Sequence, residues 1–132
     1  MIDHLSLVVR DYARSLAFYR QALAPTGHAR VVELPGAPGA ASPSAGFCHE
    51  DGSDLWIREG EPATTPLHLA FRVPDRAAVD AFHRAALAAG GLDHGAPGVR
   101  PHYHPHYYGA FVLDPDGHNL EAVCHEPPPA AP

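Results

Sequence analysis

The chain has 132 residues, a formal net charge of −6 at pH 7, two cysteines and nine basic residues, all of them arginines. The negative charge argues against a nucleic-acid partner, and the lack of lysine excludes a Schiff-base mechanism and a phosphate-binding P-loop. Two cysteines and no long apolar run favour a cytoplasmic protein without a membrane partner. We expect a single domain over residues 1–126 and a Pro-rich disordered tail over 127–132.

The first half of the chain predicts a strand, a helix and then further strands. Residues 2–9 alternate between two faces, which is typical of a strand. Asp11 is placed as the N-cap of a helix from about residue 12 to residue 24, before Pro25 and Gly27. We expect the rest of this half to comprise a strand over 28–34, a loop over 35–46, and strands at 47–48 and 55–58 around the turn at Asp51-Gly52.

The pattern then repeats. When residues 4–27 are set against 68–91 without gaps, twelve of the 24 positions are identical, and only four of these are alanine matches. With one inserted residue, 51–56 also corresponds to 116–121. This predicts an α+β fold of two βαβββ modules, at about 1–60 and 66–125. The non-alanine identities are His4/His68, Leu5/Leu69, Val9/Val73, Asp11/Asp75, Phe18/Phe82, Arg20/Arg84, Leu23/Leu87 and Gly27/Gly91.

The last strand of the second module carries a carboxylate. Asp114-Pro-Asp-Gly117 predicts a tight turn, which joins two apolar strands in a hairpin. On the strand after the turn, Leu120, Ala122 and Cys124 would face the helices, so that Glu121 lies on the opposite face. By the same alternation His4 and His68 lie on the faces of the two first strands that point away from the helices. Two imidazoles and one carboxylate are therefore expected to line one cup.

The segment 101–108 (Pro-His-Tyr-His-Pro-His-Tyr-Tyr) allows three interpretations. His102, His104 and His106 alternate as strand ligands would, but Pro105 interrupts strand hydrogen bonding. The alternatives are a second metal site, a lining for the cup and a surface patch. If the following strand places Tyr108 on the cup side, His104 or Tyr108 is a candidate for acid–base catalysis or for hydrogen bonding to substrate.

The sequence resembles the vicinal oxygen chelate superfamily, which contains glyoxalases, extradiol dioxygenases and fosfomycin-resistance proteins. The matching stretches begin at Asp3 (DHLSLVVRDYARSLAFYRQAL), Leu67 (LHLAFRVPDRAAVDAFHRAAL) and Tyr107 (YYGAFVLDPDGHNLEAV). The resemblance implies an open, cup-shaped, eight-stranded sheet with helices outside, usually in a homodimer. It also implies a divalent metal ion, with Fe(II), Mn(II), Ni(II) and Zn(II) as candidates, on His4, His68 and Glu121.

One position departs from the glyoxalase pattern. The fourth glyoxalase ligand, a glutamate or glutamine, corresponds to Trp56, which cannot bind a metal. The remaining two histidines and one glutamate form a facial triad with open positions for a substrate that binds through adjacent oxygens. We predict a metal-dependent lyase/isomerase or a ring-cleaving dioxygenase. The lack of lysine argues against a fosfomycin-type transferase.

The residues around the triad are candidates for binding the substrate. Ser6 and Arg72 share the histidine faces, and Arg72 is either an anion contact or a solvated side chain. Trp56 is either a lid on the cup or part of the core. The alternative function is metal-independent sequestration of a drug or toxin, as in bleomycin-binding members of the fold. The sequence leaves open whether the three ligands come from one chain or two.

Overall fold

The computed structural model describes residues 3–36, 38–39, 41–50 and 52–128, with the backbone alone for Ser53. Within these residues the order βαβββ occurs twice, so the predicted two-module α+β fold is confirmed. Residues 129–132 of the predicted tail lie outside the described residues. The first module contains β1 (Leu5–Val9), α1 (Tyr12–Ala22), β2 (Arg30–Leu34), β3 (Ser44–His49) and β4 (Gly52–Glu59); the second contains β5 (His68–Arg72), α2 (Arg76–Ala88), β6 (Leu92–Val99), β7 (Tyr108–Leu113) and β8 (Asn119–Cys124).

Each module forms one open four-stranded sheet. The strand orders are β1-β4-β3-β2 and β5-β8-β7-β6. In both sheets the first strand of the module pairs in parallel with its last strand, and the remaining pairs are antiparallel. The register aligns Ser6 with Trp56 and Ala70 with Glu121, so the repeat read from the sequence is reproduced in the strand pairing.

Both helices begin where the sequence predicts. The side chains of Asp11 and Asp75 accept hydrogen bonds from the backbone N–H groups of Arg14 (2.9 Å) and Ala78 (2.8 Å), as N-caps do. Helix α1 ends at Ala22, two residues earlier than expected, and a short 3-10 turn over Ala24–Thr26 follows. None of the helices in the described ranges is long and apolar enough to cross a membrane.

The strand β3 begins earlier than the sequence indicates. We expected a loop over 35–46, but the strand starts at Ser44, and residues 45–48 are buried. The small side chains of Ala45 and Gly46 hide the alternation that would mark a strand. Gly46 is required here because a Cβ atom would lie 2.8 Å from the Trp56 ring on the neighbouring strand.

The two modules meet through their helix sides. The helices α1 and α2 pack against each other, and Leu7 and Val9 of β1 and Val73, directly after β5, are buried in the shared core. A buried hydrogen bond strengthens this contact, because the Tyr19 hydroxyl on α1 donates to Asp114 Oδ2 in the second module (2.6 Å). The opposite face of each sheet is therefore left open.

We expect Tyr19→Phe to lower the free energy of unfolding by about 1–3 kcal/mol, since it leaves a buried carboxylate with one donor fewer. Urea unfolding followed by circular dichroism would measure this change. Tyr12→Phe is a matched control, because Tyr12 lies half-buried on the same helix, and we expect a change within about 0.5 kcal/mol. Equal effects of the two substitutions would show that the Tyr19–Asp114 bond does not stabilise the module contact.

Candidate metal site

The carboxylate of Glu121 is buried on the open face of the second sheet. The side chain points away from the helices, as predicted, yet the residue is only 2% exposed. On this face it aligns with Ala70 on β5 and with Phe111 on β7. A buried carboxylate is costly unless each oxygen has a partner.

Each oxygen of Glu121 has its own partner. The Tyr107 hydroxyl donates to Oε1 (2.5 Å), and His68 Nε2 lies 3.1 Å from Oε2. Gly109 makes this arrangement fit, because a Cβ atom at that position would lie 2.9 Å from Oε1 and 3.3 Å from the Tyr107 ring. Burial, together with the hydrogen bond to Glu121, raises the pKa of Tyr107 well above its ordinary value, so this residue remains a donor.

The hydrogen-bond pattern of His68 leaves Nε2 facing an acceptor. Its Nδ1 atom lies 3.1 Å from the backbone carbonyl oxygen of Asn119, which only accepts, so Nδ1 carries a hydrogen. In a neutral imidazole the Nε2 atom then holds a lone pair, which points at Oε2 of Glu121. Two acceptors at this distance repel each other unless a proton or a cation lies between them.

A metal ion between His68 Nε2 and Glu121 Oε2 would remove this repulsion. Ligand atoms bound about 2.0–2.2 Å from one ion at roughly a right angle are about 3 Å apart, which agrees with the 3.1 Å between His68 Nε2 and Glu121 Oε2. Histidines that bind metals through one nitrogen usually donate the other N–H to a carbonyl or carboxylate. Both features fit His68 and Glu121 as ligands of a divalent metal.

His4, at the start of the first sheet, also has its Nδ1 atom next to an oxygen acceptor. Its Nδ1 atom lies 2.7 Å from Asp3 Oδ1, and its Nε2 atom has no hydrogen-bond partner among the residues that the structure describes. With Ser6 and Trp56 it lines a hollow of about 290 Å³ on the open face of that sheet. The indole of Trp56 is half-buried and covers Gly46. Both Ser6 and Trp56 therefore lie beside His4, and their role in binding a substrate stays a prediction.

His4 does not join His68 and Glu121 within one chain. Among residues 3–36, 38–39, 41–50 and 52–128, no three His, Cys, Asp or Glu side chains come close enough together to hold a metal ion. The reason is the helix-side packing of the modules, which leaves the two open faces apart. A shared site for the three predicted ligands thus remains a prediction.

The prediction that Tyr108 faces the cup is wrong. The β7 register places Gly109, Phe111 and Leu113 on the Glu121 face, so Tyr108, Ala110 and Val112 lie on the helix side. There the Tyr108 hydroxyl donates to Asp80 on α2 (2.9 Å). Tyr108 is therefore removed from the candidate catalytic residues.

The neighbouring Tyr107 takes the place expected for Tyr108. The irregular segment before β7 determines which of the two tyrosines points to the Glu121 face. Alternation alone therefore assigned Tyr108 to the wrong face. The signal that could have found Tyr107 is the pair of consecutive tyrosines, one for each face of the strand.

His104 does not reach the Glu121 carboxylate directly. Its Nε2 atom lies 2.6 Å from Nδ1 of His125, and the two rings stack with centroids 4.9 Å apart. The second metal site considered for His102, His104 and His106 finds no support, because these residues belong to no metal-binding set in the described part of the chain. His104 instead packs edge-on against the Tyr107 ring.

Two arginines lie near the open face of the second sheet, and only Arg72 was considered from the sequence. Arg72 is exposed, 3.9 Å from Glu126, and lines a separate cavity of about 340 Å³ between the modules. Sequence reasoning missed Arg100, whose guanidinium lies over the Phe111 ring on the Glu121 face, 5.6 Å from the ring centre. Phe111 in turn stacks on His68 at 6.1 Å. Arg100 is thus better placed than Arg72 to attract a negatively charged group to Glu121 and His68.

Comparison with known proteins identifies the family. The family model described as Glyoxalase/Bleomycin resistance protein/Dioxygenase superfamily matches residues 1–122. The chain belongs to this superfamily. None of the curated proteins matches it. The resemblance stated from the sequence is therefore confirmed, and the superfamily includes enzymes.

Solved structures share the fold over nearly the whole chain. A glyoxalase/bleomycin resistance protein from Albidiferax ferrireducens is 26% identical, with a TM-score of 0.77, covering 92% of this chain and 97% of its own. A glyoxalase/bleomycin resistance protein/dioxygenase family enzyme from Burkholderia phytofirmans is 20% identical (TM-score 0.69; 95% and 98% covered). The fosfomycin resistance protein FosX from Mesorhizobium loti is also 20% identical (TM-score 0.67; 96% and 92% covered).

The raised pKa of Tyr107 predicts a pH dependence of stability. In the unfolded chain this tyrosine ionises near its ordinary pKa of about 10, whereas the folded state retains the proton to higher pH. Above about pH 10 the unfolded state therefore binds fewer protons, and the free energy of unfolding falls as the pH rises. Between about pH 9 and pH 11 we expect Tyr107→Phe to lose less stability than the wild type. Urea unfolding at the two pH values tests this, and equal losses would contradict the buried contact with Glu121.

Proposed function

We propose that the protein is a divalent-metal-dependent enzyme that binds a small molecule through adjacent oxygens at a site made of His4, His68 and Glu121. The observation that carries this proposal is geometric: His68 Nε2 and Glu121 Oε2 lie 3.1 Å apart, while His68 Nδ1 lies 3.1 Å from the Asn119 carbonyl oxygen. A lone pair and a carboxylate oxygen in that position attract a cation.

The residues around this pair suit a chelating, negatively charged substrate. A bound Fe(II), Mn(II), Ni(II) or Zn(II) ion would supply Lewis-acid chemistry and open positions for two substrate oxygens. Phe111 offers an apolar wall beside His68, and Arg100 adds positive charge above that ring. Tyr107 holds the carboxylate of Glu121 in place. This environment is compatible with a lyase/isomerase or a ring-cleaving dioxygenase.

The third ligand, in this proposal, comes from a second copy of the chain. Each chain presents two open faces: His4 with Ser6 and Trp56 on one, and His68 with Glu121 on the other. Strands β1 and β5 are both sheet edges, free on their outer sides. A homodimer that sets the first module of one copy against the second module of the other would complete the cup twice by one symmetric contact.

Sequestration of a drug or toxin is the second candidate. The hollow of about 290 Å³ beside Trp56 and Leu34 favours it, since a largely apolar recess lined by an aromatic ring binds ligands without a metal. The Albidiferax ferrireducens relative is described as a glyoxalase/bleomycin resistance protein. Metal binding distinguishes the two functions, because sequestration of this kind requires none.

We expect protein purified without a His-tag to bind about one Mn(II) per chain, and His68→Ala or Glu121→Ala to weaken binding by about 100-fold or more, since each removes a ligand of a three-ligand site. Calorimetric titration under anaerobic conditions would measure this. His106→Ala is the matched control because His106 is an exposed histidine. Absence of binding by the wild type to Mn(II), Fe(II), Ni(II) and Zn(II) would end the metalloenzyme proposal and favour sequestration.

The shared site can be tested with two defective variants. His4→Ala and Glu121→Gln should each lose tight Mn(II) binding alone. After the two are unfolded together and refolded as a mixture, random pairing should restore binding at about a quarter of the sites, because a mixed dimer has one cup with all three ligands intact. No recovery in a mixture shown to contain mixed dimers would place all three ligands in one chain.

A further inference from the structure

The pair His104 and His125 has a defined hydrogen-bond direction. The backbone N–H of His106 donates to Nδ1 of His104 (3.1 Å), so that nitrogen carries the lone pair. The hydrogen of the neutral ring then sits on Nε2 and is donated to Nδ1 of His125, 2.6 Å away. These positions are assigned from the hydrogen-bond network. Each histidine thus fixes the orientation of the other.

This pair confines the ring of Tyr107. The ring meets His104 and His125 edge-on, with centroids 5.5 and 5.2 Å away and interplanar angles of 72° and 82°. Tyr103 lies against it as well, 4.8 Å away. The backbone is also held, because Tyr107 N–H donates to the His104 carbonyl (3.1 Å) and its carbonyl accepts from Arg100 N–H (2.7 Å). Tyr107 therefore has little freedom to move its hydroxyl.

The hydroxyl of Tyr107 in turn determines how Glu121 is oriented. A carboxylate rotates readily about its last side-chain bond when nothing holds it. With Oε1 bound to the tyrosine at 2.5 Å and Gly109 leaving room for both groups, Oε2 is directed at His68 Nε2. A ligand that is oriented before the metal arrives loses less conformational freedom on binding it.

We propose that Tyr107 is a positioning residue for the metal ligand Glu121, and that the His104–His125 pair holds Tyr107 in that role. This inference rests on the proposed function, because it assigns the two histidines and the tyrosine to the support of a metal ligand. It also gives the histidine-rich segment before β7 a purpose other than binding a second metal.

The test is the affinity of the untagged protein for Mn(II), measured by calorimetric titration alongside urea unfolding. Loss of a group that orients a metal ligand typically weakens affinity about 10–100-fold, and we expect Tyr107→Phe to fall in this range. Tyr108→Phe is the matched control, because it makes the same chemical change one residue later, where the hydroxyl bonds Asp80 on the helix side. We expect its Mn(II) affinity to equal that of the wild type.

A second pair of variants separates positioning from general structure. His125→Leu removes the acceptor for His104 and should weaken Mn(II) binding about tenfold. His125→Asn places an amide oxygen where Nδ1 lies, so it should restore affinity to near the wild-type value. A purely structural role would show equal loss of stability and of affinity in both variants, without this rescue.

The outcomes separate the two proposals. If the wild type binds Mn(II) and Tyr107→Phe changes the affinity by less than about twofold, the positioning role is overturned and the metalloenzyme proposal stands. If the wild type binds no metal, both are overturned. If Tyr107→Phe and Tyr108→Phe weaken binding equally, the effect comes from the fold and the positioning role is also overturned.

Discussion

The second module buries the carboxylate of Glu121, and the residues around it are those that a buried carboxylate requires. Among the described residues only His68 Nε2 lies within ion-pair distance of it, so no arginine neutralises the charge. The surrounding features compensate for this charge: a glycine at position 109 makes space, a tyrosine donates to one oxygen, and a histidine faces the other. The free-energy cost of burying a charge is tolerated at functional sites more often than in ordinary cores. Holding a cation is the purpose that we propose for this arrangement.

Because the two modules are copies of one pattern, the position at which they differ can be identified directly. In both, the residue on the last strand aligns with a residue two places after the first-strand histidine, as Trp56 does with Ser6 and Glu121 with Ala70. One module thus contributes an indole and a hollow, and the other contributes a carboxylate. If the open faces of two copies meet, as we propose, the first module supplies His4 and the indole, and the second module supplies His68 and the carboxylate. The modules of a single chain are joined at their helix sides, where Tyr19 bonds Asp114.

Much of this structure could be predicted from the sequence because the signals are local. Alternation gave the faces of the first strands, Asp11 and Asp75 gave the helix starts, and alternation along the last strand gave the common face of His68 and Glu121. Two features could not be predicted. The irregular segment before β7 sets whether Tyr107 or Tyr108 faces the carboxylate, and no local period describes it. The relation between the two sheets depends on tertiary packing, so the separation of His4 from His68 required the structure.

We propose that a divalent ion binds where two copies of the chain meet, with ligands from both copies. The most direct measurement is a crystal structure of the protein with Mn(II), with the ion located by anomalous scattering. We expect one ion at each cup, bound by His68 Nε2 and Glu121 Oε2 of one copy and by His4 Nε2 of a second copy. An ion bound elsewhere, such as at the His104–His125 pair, or a cup in which His68 and Glu121 remain in direct contact without an ion, would contradict it.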